Sequence, residues 1–193
     1  MADITEITEQ EKVKRAKKMM LWFGIISLSM SFAGLTSAYV VSKERPDWLT
    51  DFEIPSAFYV SLALILISSL TVHLAKINIQ KKNHSLGMGL LIATFLLGLG
   101  FIFCQFIGFN QIVEAGFYFT GSESTITTSF LYLVVLLHLA HIVAGLISLL
   151  VVIVQHARKK YSHGNTLGVE LAATFWHFVD ILWIYLLLFI YLV

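Results

Sequence analysis

The run from Leu86 to Ile107 carries no Asp, Glu, Lys, Arg or His. A membrane helix needs roughly 20 mostly apolar residues to cross about 30 Å of hydrocarbon. In that solvent every backbone amide must be satisfied inside the segment, which leaves a helix as the answer for a single run. Four more stretches pass the same test, at about 19–41, 56–75, 126–154 and 167–193. The expected fold is therefore all-α: a polytopic membrane protein, a five-transmembrane-helix bundle forming one domain over 19–193 behind a segment 1–18. Composition agrees, since only 13% of the 193 residues are charged against about 25% in soluble domains. The mean hydropathy is +0.81. The first span is too long for a signal-peptide core and continues without a small-residue cleavage site, so it is read as retained. Two prolines and the lone Cys104, itself in an apolar run, suggest neither a linker nor an intrachain disulfide.

Lysine and arginine in short loops set orientation. Lys12, Lys14, Arg15, Lys17 and Lys18 precede the first span; Lys76, Lys81 and Lys82 lie between the second and third; Arg158, Lys159 and Lys160 lie between the fourth and fifth. The other two loops hold Lys43 and Arg45, outnumbered by Glu44, Asp47, Asp51 and Glu53, and then Glu114 and Glu123 with no base. Eleven of the thirteen basic residues thus fall on one side. The expectation is a cytoplasmic N-terminus and a periplasmic C-terminus. Residues 1–18 mix acids with bases and read as a solvated, partly unstructured tail in preference to a short surface helix.

Ionisable side chains within membrane spans are rare and default to a functional hypothesis. Span five holds Glu170, His177 and Asp180, span four holds His138 and His141, and span two holds His73 near its Lys-rich end. At about 100° per residue, Glu170 and His177 fall nearly in line, with Asp180 within about 80° of Glu170. His138 and His141 share a face, which Gly145 keeps thin for a neighbouring helix. Counted at about 1.5 Å per residue, Asp180 and His141 lie at matching depths of roughly 18 and 20 Å. A short connection makes spans four and five antiparallel neighbours, so the His138/His141 face is expected to meet the Glu170/His177/Asp180 stripe.

Three readings of these groups compete. Histidine is the commonest metal ligand, and Asp and Glu also coordinate, but neither HExxH nor paired Glu-x-x-His is present. A proton relay would use these residue types, although Leu186 to Val193 is apolar and offers no continuation across the bilayer. The third reading is a hydrogen-bonded network that locks two helices together. Trp22, Trp48, Trp176, Trp183, Tyr39, Tyr59 and Tyr191 mostly sit where interfacial belts are expected. Small residues such as Ser27, Ser29, Ser31, Ala33 and Gly34, or Gly87, Gly89, Gly98 and Gly100, suit close helix contact or lipid grooves. Arg158, Lys159 and Lys160 are candidate lipid headgroup contacts, with Trp176 beside them, though topology alone also explains the three bases. No catalytic centre is evident.

The run Glu170-Leu-Ala-Ala-Thr-Phe-Trp-His177-Phe-Val-Asp180-Ile-Leu-Trp183 resembles the last helix of haem-copper oxidase subunit III, E-x-A-x-x-x-W-H-F-V-D-x-x-W. His138-Leu-Ala-His141-Ile-Val-Ala-Gly145 is similar to the family's H-x-x-H-V-x-x-G. LLGLGFIFCQ, ending at Gln105, and Phe32-Ala33-Gly34 match two shorter family elements, so the resemblance touches nearly every span. Five spans fit the short bacterial form of the family.

This resemblance implies an accessory, non-catalytic subunit of a proton-pumping haem-copper terminal oxidase in a bacterial inner membrane. Such a subunit carries no haem or copper of its own, packs directly against subunit I, and holds phospholipid in a cleft. Subunit II, a small subunit IV and a larger respiratory assembly are further candidate partners; nucleic acid is not among them. A free-standing membrane enzyme binding metal or haem at the buried histidines is the alternative from another class. Two positions depart from the family pattern: Leu28 and Gly108 stand where glutamates are common. Replacing His177 or Asp180 by alanine is expected to cost roughly 1–3 kcal/mol by leaving a buried partner unpaired. The assembled complex should then lose heat stability while its initial turnover stays near normal.

Overall fold

The computed structural model describes residues 2–44, 55–119, 121, 125–158 and 166–192, apart from the side chains of 2–8 and 10. Five helices follow in order: α1 (Ala2–Val41), α2 (Ser56–Gln80), α3 (His84–Glu114), α4 (Ile126–Ala157) and α5 (Leu167–Leu192), with one 3₁₀ turn at Ser42–Glu44. All five are long and apolar enough to cross a membrane. The helices overrun the apolar stretches that define them, taking in Lys76 and Gln80 on α2 and Asn110 and Gln111 on α3. Hydropathy marks only the hydrocarbon part of a helix; hydrogen bonding carries it on until a turn signal stops it.

The largest departure from the sequence expectation lies at the N-terminus. Residues read there as a partly unstructured tail continue α1 back to Ala2. No Gly or Pro interrupts them, the span supplies the costly nucleus, and Lys12 pairs with Glu9 at 2.7 Å one turn away. Every residue from 11 to 20 is exposed, so this extension is held by propagation rather than by burial.

α2 and α3 form a tight hairpin. Its turn runs through Lys81, Lys82 (φ 61°) and Asn83, and the amide of Asn83 donates to the carbonyl of Asn78 at 2.9 Å. Polar pairs then stitch the two helices along their length: Gln105 Nε2 donates to Ser61 Oγ (3.0 Å), Thr71 and Thr94 share a hydroxyl bond (2.8 Å), and Gln111 Nε2 reaches Ser56 Oγ (3.3 Å). Hydrocarbon gives helices no solvophobic reason to associate, so such bonds and close packing carry the association.

α5 joins this hairpin to α4 through Trp176. Its indole is fully buried, and its N–H donates to Ser68 Oγ of α2 at 2.9 Å. The ring lies between two glycines. A Cβ on Gly98 of α3 would stand 2.7 Å from Trp176 Cη2, and one on Gly145 of α4 would stand 3.1 Å from Cε3. One side chain therefore touches three other helices. Gly145 thins its face as expected, while the neighbour it admits is an aromatic ring. Gly89, by contrast, would place a Cβ with nothing within 4 Å of it and plays no such part.

α1 lies across α4 and α5, and three contacts between its residues 32 and 39 hold it there. Phe32 is buried edge-on to His141 (5.7 Å), Thr36 Oγ1 bonds the Tyr185 hydroxyl (2.9 Å), and Tyr39 packs edge-on to Phe189 (5.4 Å). Apart from Ile25, which is buried, and the half-buried Leu21, Leu28 and Leu35, the rest of its span, including Trp22, Phe23, Ile26 and Met30, is exposed. Trp176 and Trp183 are both fully buried, so the belt position and the headgroup contact expected of Trp176 do not hold; Trp22, Tyr59 and Tyr191 are exposed as a belt requires. Gly98→Ala should therefore destabilise the bundle by roughly 1–3 kcal/mol through overpacking. Thermal unfolding in detergent, followed by tryptophan fluorescence, checks it; a variant that melts with the parent would show that the indole has room to move.

Candidate functional site

The five ionisable residues expected to form one network, His138, His141, Glu170, His177 and Asp180, do not share one among the described residues. Three separate settings hold them. Glu170, in the first turn of α5, takes an ion pair from Lys18 of α1 at 2.9 Å and a hydrogen bond from Thr166 at 3.2 Å. This lies at the Lys-rich end, where Lys76 of α2 faces the same carboxylate. Lys18 is 53% exposed, so the pair is well solvated.

His177, two turns deeper, meets α2 rather than α4. Its Nδ1 bonds Ser69 Oγ at 2.7 Å, and its ring stands 5.9 Å from that of His73. Ser69 also faces the carboxyl of Asp180, one turn further along α5. Asp180 is 2% exposed, and no hydrogen bond of standard geometry reaches either carboxyl oxygen among the described residues. The order is thus imidazole, hydroxyl, carboxyl. A nucleophilic triad needs the carboxylate on the imidazole and the hydroxyl beyond it, so this arrangement is not built for acyl transfer.

His138 and His141, the α4 half of the expected network, lie elsewhere. His138 is fully buried, stacked on Trp183 at 5.1 Å and edge-on to Phe101 at 5.9 Å, and neither ring nitrogen has a partner among the described residues. His141 turns its Nδ1 to the carbonyl of Leu137 on its own helix at 2.7 Å. The imidazoles of His138, His141 and His177 therefore face an indole, a backbone carbonyl and a serine respectively. No group of three or more His, Cys, Asp or Glu converges as a metal donor set among the described residues.

Reasoning on spacing missed Lys18, Ser68 and Ser69, which supply the partners of Glu170, Trp176 and His177. A signal was available: Ser61, Ser68 and Ala75 recur every seven residues on α2 and are all fully buried. Arg158 is exposed at the end of α4, whereas Lys159 and Lys160 lie outside the described residues.

These settings define a five-helix bundle, apolar enough to cross a membrane, whose ionisable side chains sit in separate places and not in one donor set among the described residues. Comparison with known proteins agrees. Residues 8–193 match the family model for cytochrome c oxidase subunit III, and the chain belongs to that family. It is similar to cytochrome c oxidase subunit 3 of Bacillus sp. (strain PS3), 28% identical over 185 residues, covering 91% of this chain and 85% of that protein. It is also similar to cytochrome bo(3) ubiquinol oxidase subunit 3 of Pseudomonas aeruginosa, 31% identical over 175 residues, covering 89% and 82%. The Drosophila yakuba cytochrome c oxidase subunit 3 is 34% identical over 140 residues, which cover 72% of this chain and 50% of the insect protein.

The family frame explains one departure. At Gly108, where the resemblance led to the expectation of a glutamate, a Cβ would overlap the ring of Phe58. No carboxylate fits there. The solvated Lys18–Glu170 pair should contribute less than about 1 kcal/mol, so Lys18→Met should shift thermal stability slightly, and less still at high salt. Ser69→Ala should cost more, roughly 1–3 kcal/mol, because it strips the half-buried His177 imidazole of its partner. Parallel melts at low and high salt separate the two.

Proposed function

We propose that this chain is the accessory subunit III of a proton-pumping haem-copper oxidase in a bacterial inner membrane, packed against the subunit I that reduces oxygen to water. The family match across residues 8–193, on a bundle of five spanning helices, carries this reading. Haem and copper then belong to neighbouring subunits, and this chain's task is to support the catalytic one. The largely exposed spanning face of α1 leaves apolar surface for a membrane neighbour or lipid. The basic residues support a cytoplasmic N-terminus.

Phospholipid binding also has a place to occur. A cavity of about 410 Å³ opens between α1, α4 and α5, walled by apolar side chains including Leu21, Val151, Leu171 and Phe175, with Gly168 at its rim. Its lining suits an acyl chain. Arg158, exposed at the same end of α4 and followed in sequence by Lys159 and Lys160, supports a headgroup contact there.

The test is purification of the tagged chain from native membranes in mild detergent. A haem-bearing multi-span protein and a copper-bearing partner should co-purify in fixed proportion, and the chain separated from them should show no haem absorption. Stoichiometric metal retained by the isolated chain would instead favour an enzyme acting through its own histidines.

A further inference from the structure

The Lys-rich end of the bundle contains a second, polar cavity of about 210 Å³, walled by Lys18, Trp22, Lys76, Glu170 and Thr174. It is roomy and polar enough to hold several waters. Directly deeper along the same two helices stand His73 and His177, one turn from Lys76 and from Thr174 respectively. Their rings are 5.9 Å apart. Beyond them, the Ser69 hydroxyl sits 2.7 Å from His177 Nδ1 and faces the Asp180 carboxyl. His73 is exposed at the bundle surface, His177 and Ser69 are half-buried, and Asp180 is 2% exposed, so burial within the bundle deepens step by step. One turn past Asp180, Trp183 packs edge-on against Phe58 at 5.6 Å and Phe101 at 5.3 Å and stacks on the imidazole of His138 at 5.1 Å. From Leu186 onward α5 carries no acid, base or imidazole.

We propose that this ladder is a one-ended proton path, through which the buried Asp180 exchanges its proton with water at the Lys-rich face only. The deep carboxyl without a standard hydrogen bond and the hydroxyl between it and an imidazole are the two observations that carry it. Water in the polar cavity, or His73, protonates His177 at Nε2. The imidazolium then releases its Nδ1 proton to Ser69 Oγ while the Ser69 hydroxyl passes its own proton to an Asp180 carboxylate oxygen. One N–H and one O–H bond break, two O–H bonds form, and His177 is left neutral with its proton on Nε2. The reverse sequence empties Asp180 and restores the starting tautomer. Rotation of the Ser69 hydroxyl from imidazole to carboxyl is the motion required, and side-chain rotor flips are fast. The charged and titratable groups facing this ladder are Lys18 from α1, His73 and Lys76 from α2, and Glu170 from α5 itself. They set how readily a proton enters from the cavity.

Infrared spectroscopy of the full chain, in the membrane complex with which it purifies, tests this. The carboxylic-acid stretch of Asp180 is assigned by its loss in Asp180→Asn and, without any substitution, by its shift on ¹³C-carboxyl aspartate labelling. After a switch from H₂O to D₂O the band should move promptly in the parent. In Ser69→Ala and in His177→Phe the move should slow at least tenfold, and Ser69→Thr, which keeps the hydroxyl, should restore it. Equal exchange in the parent and Ser69→Ala would overturn the path. So would a labelled Asp180 that shows no protonated band at any pH from 5 to 9, or a slowing by Trp183→Phe as great as by Ser69→Ala.

Discussion

Three helices meet on one indole. Trp176 reaches out of α5 to bond Ser68 on α2, and its ring fits between Gly98 of α3 and Gly145 of α4 only because neither position carries a side chain. In a bilayer this matters more than the same contact would in water, because lipid tails solvate leucine as well as a neighbouring helix does. Helices there are held by shape and by a few directed bonds. The seating of α5 on α2, of α3 against α5 and of α4 against α5 all use that ring.

The polar groups follow from the same register. With Trp176 opposite Ser68, the next residue, His177, necessarily finds Ser69, and Glu170 comes level with Lys76 at the end of the bundle. Rotation of α5 that faces Trp176 to α2 and α3 carries His177 away from α4. His138 is then left to stack on Trp183, with neither ring nitrogen partnered among the described residues.

The five spans were legible because hydrocarbon imposes a length and an absence of charge that any sequence must display. Which residues share a face was legible too, since helical periodicity needs no partner: Glu170, His177 and Asp180 do lie along one side of α5. What they face was not legible. Depth matching and a short loop pointed to α4, while the choice was made by where a bulky ring could find two glycines, and that information is split between α3, α4 and α5. The tail was misread for the opposite reason. Its mixed charges say solvated, which residues 11–20 are, yet nothing in their chemistry stops a helix already running.

Gly108 and Phe58 illustrate what close packing does to a chain's later history. The phenyl ring of α2 occupies the volume into which any side chain at 108 would grow, and the same ring braces Trp183. A glutamate introduced at 108 would thus need a smaller residue at 58, and a smaller residue at 58 would loosen Trp183. The two positions are bound to change together or not at all. An acid at 108 therefore requires a second change at 58, and that change reaches Trp183.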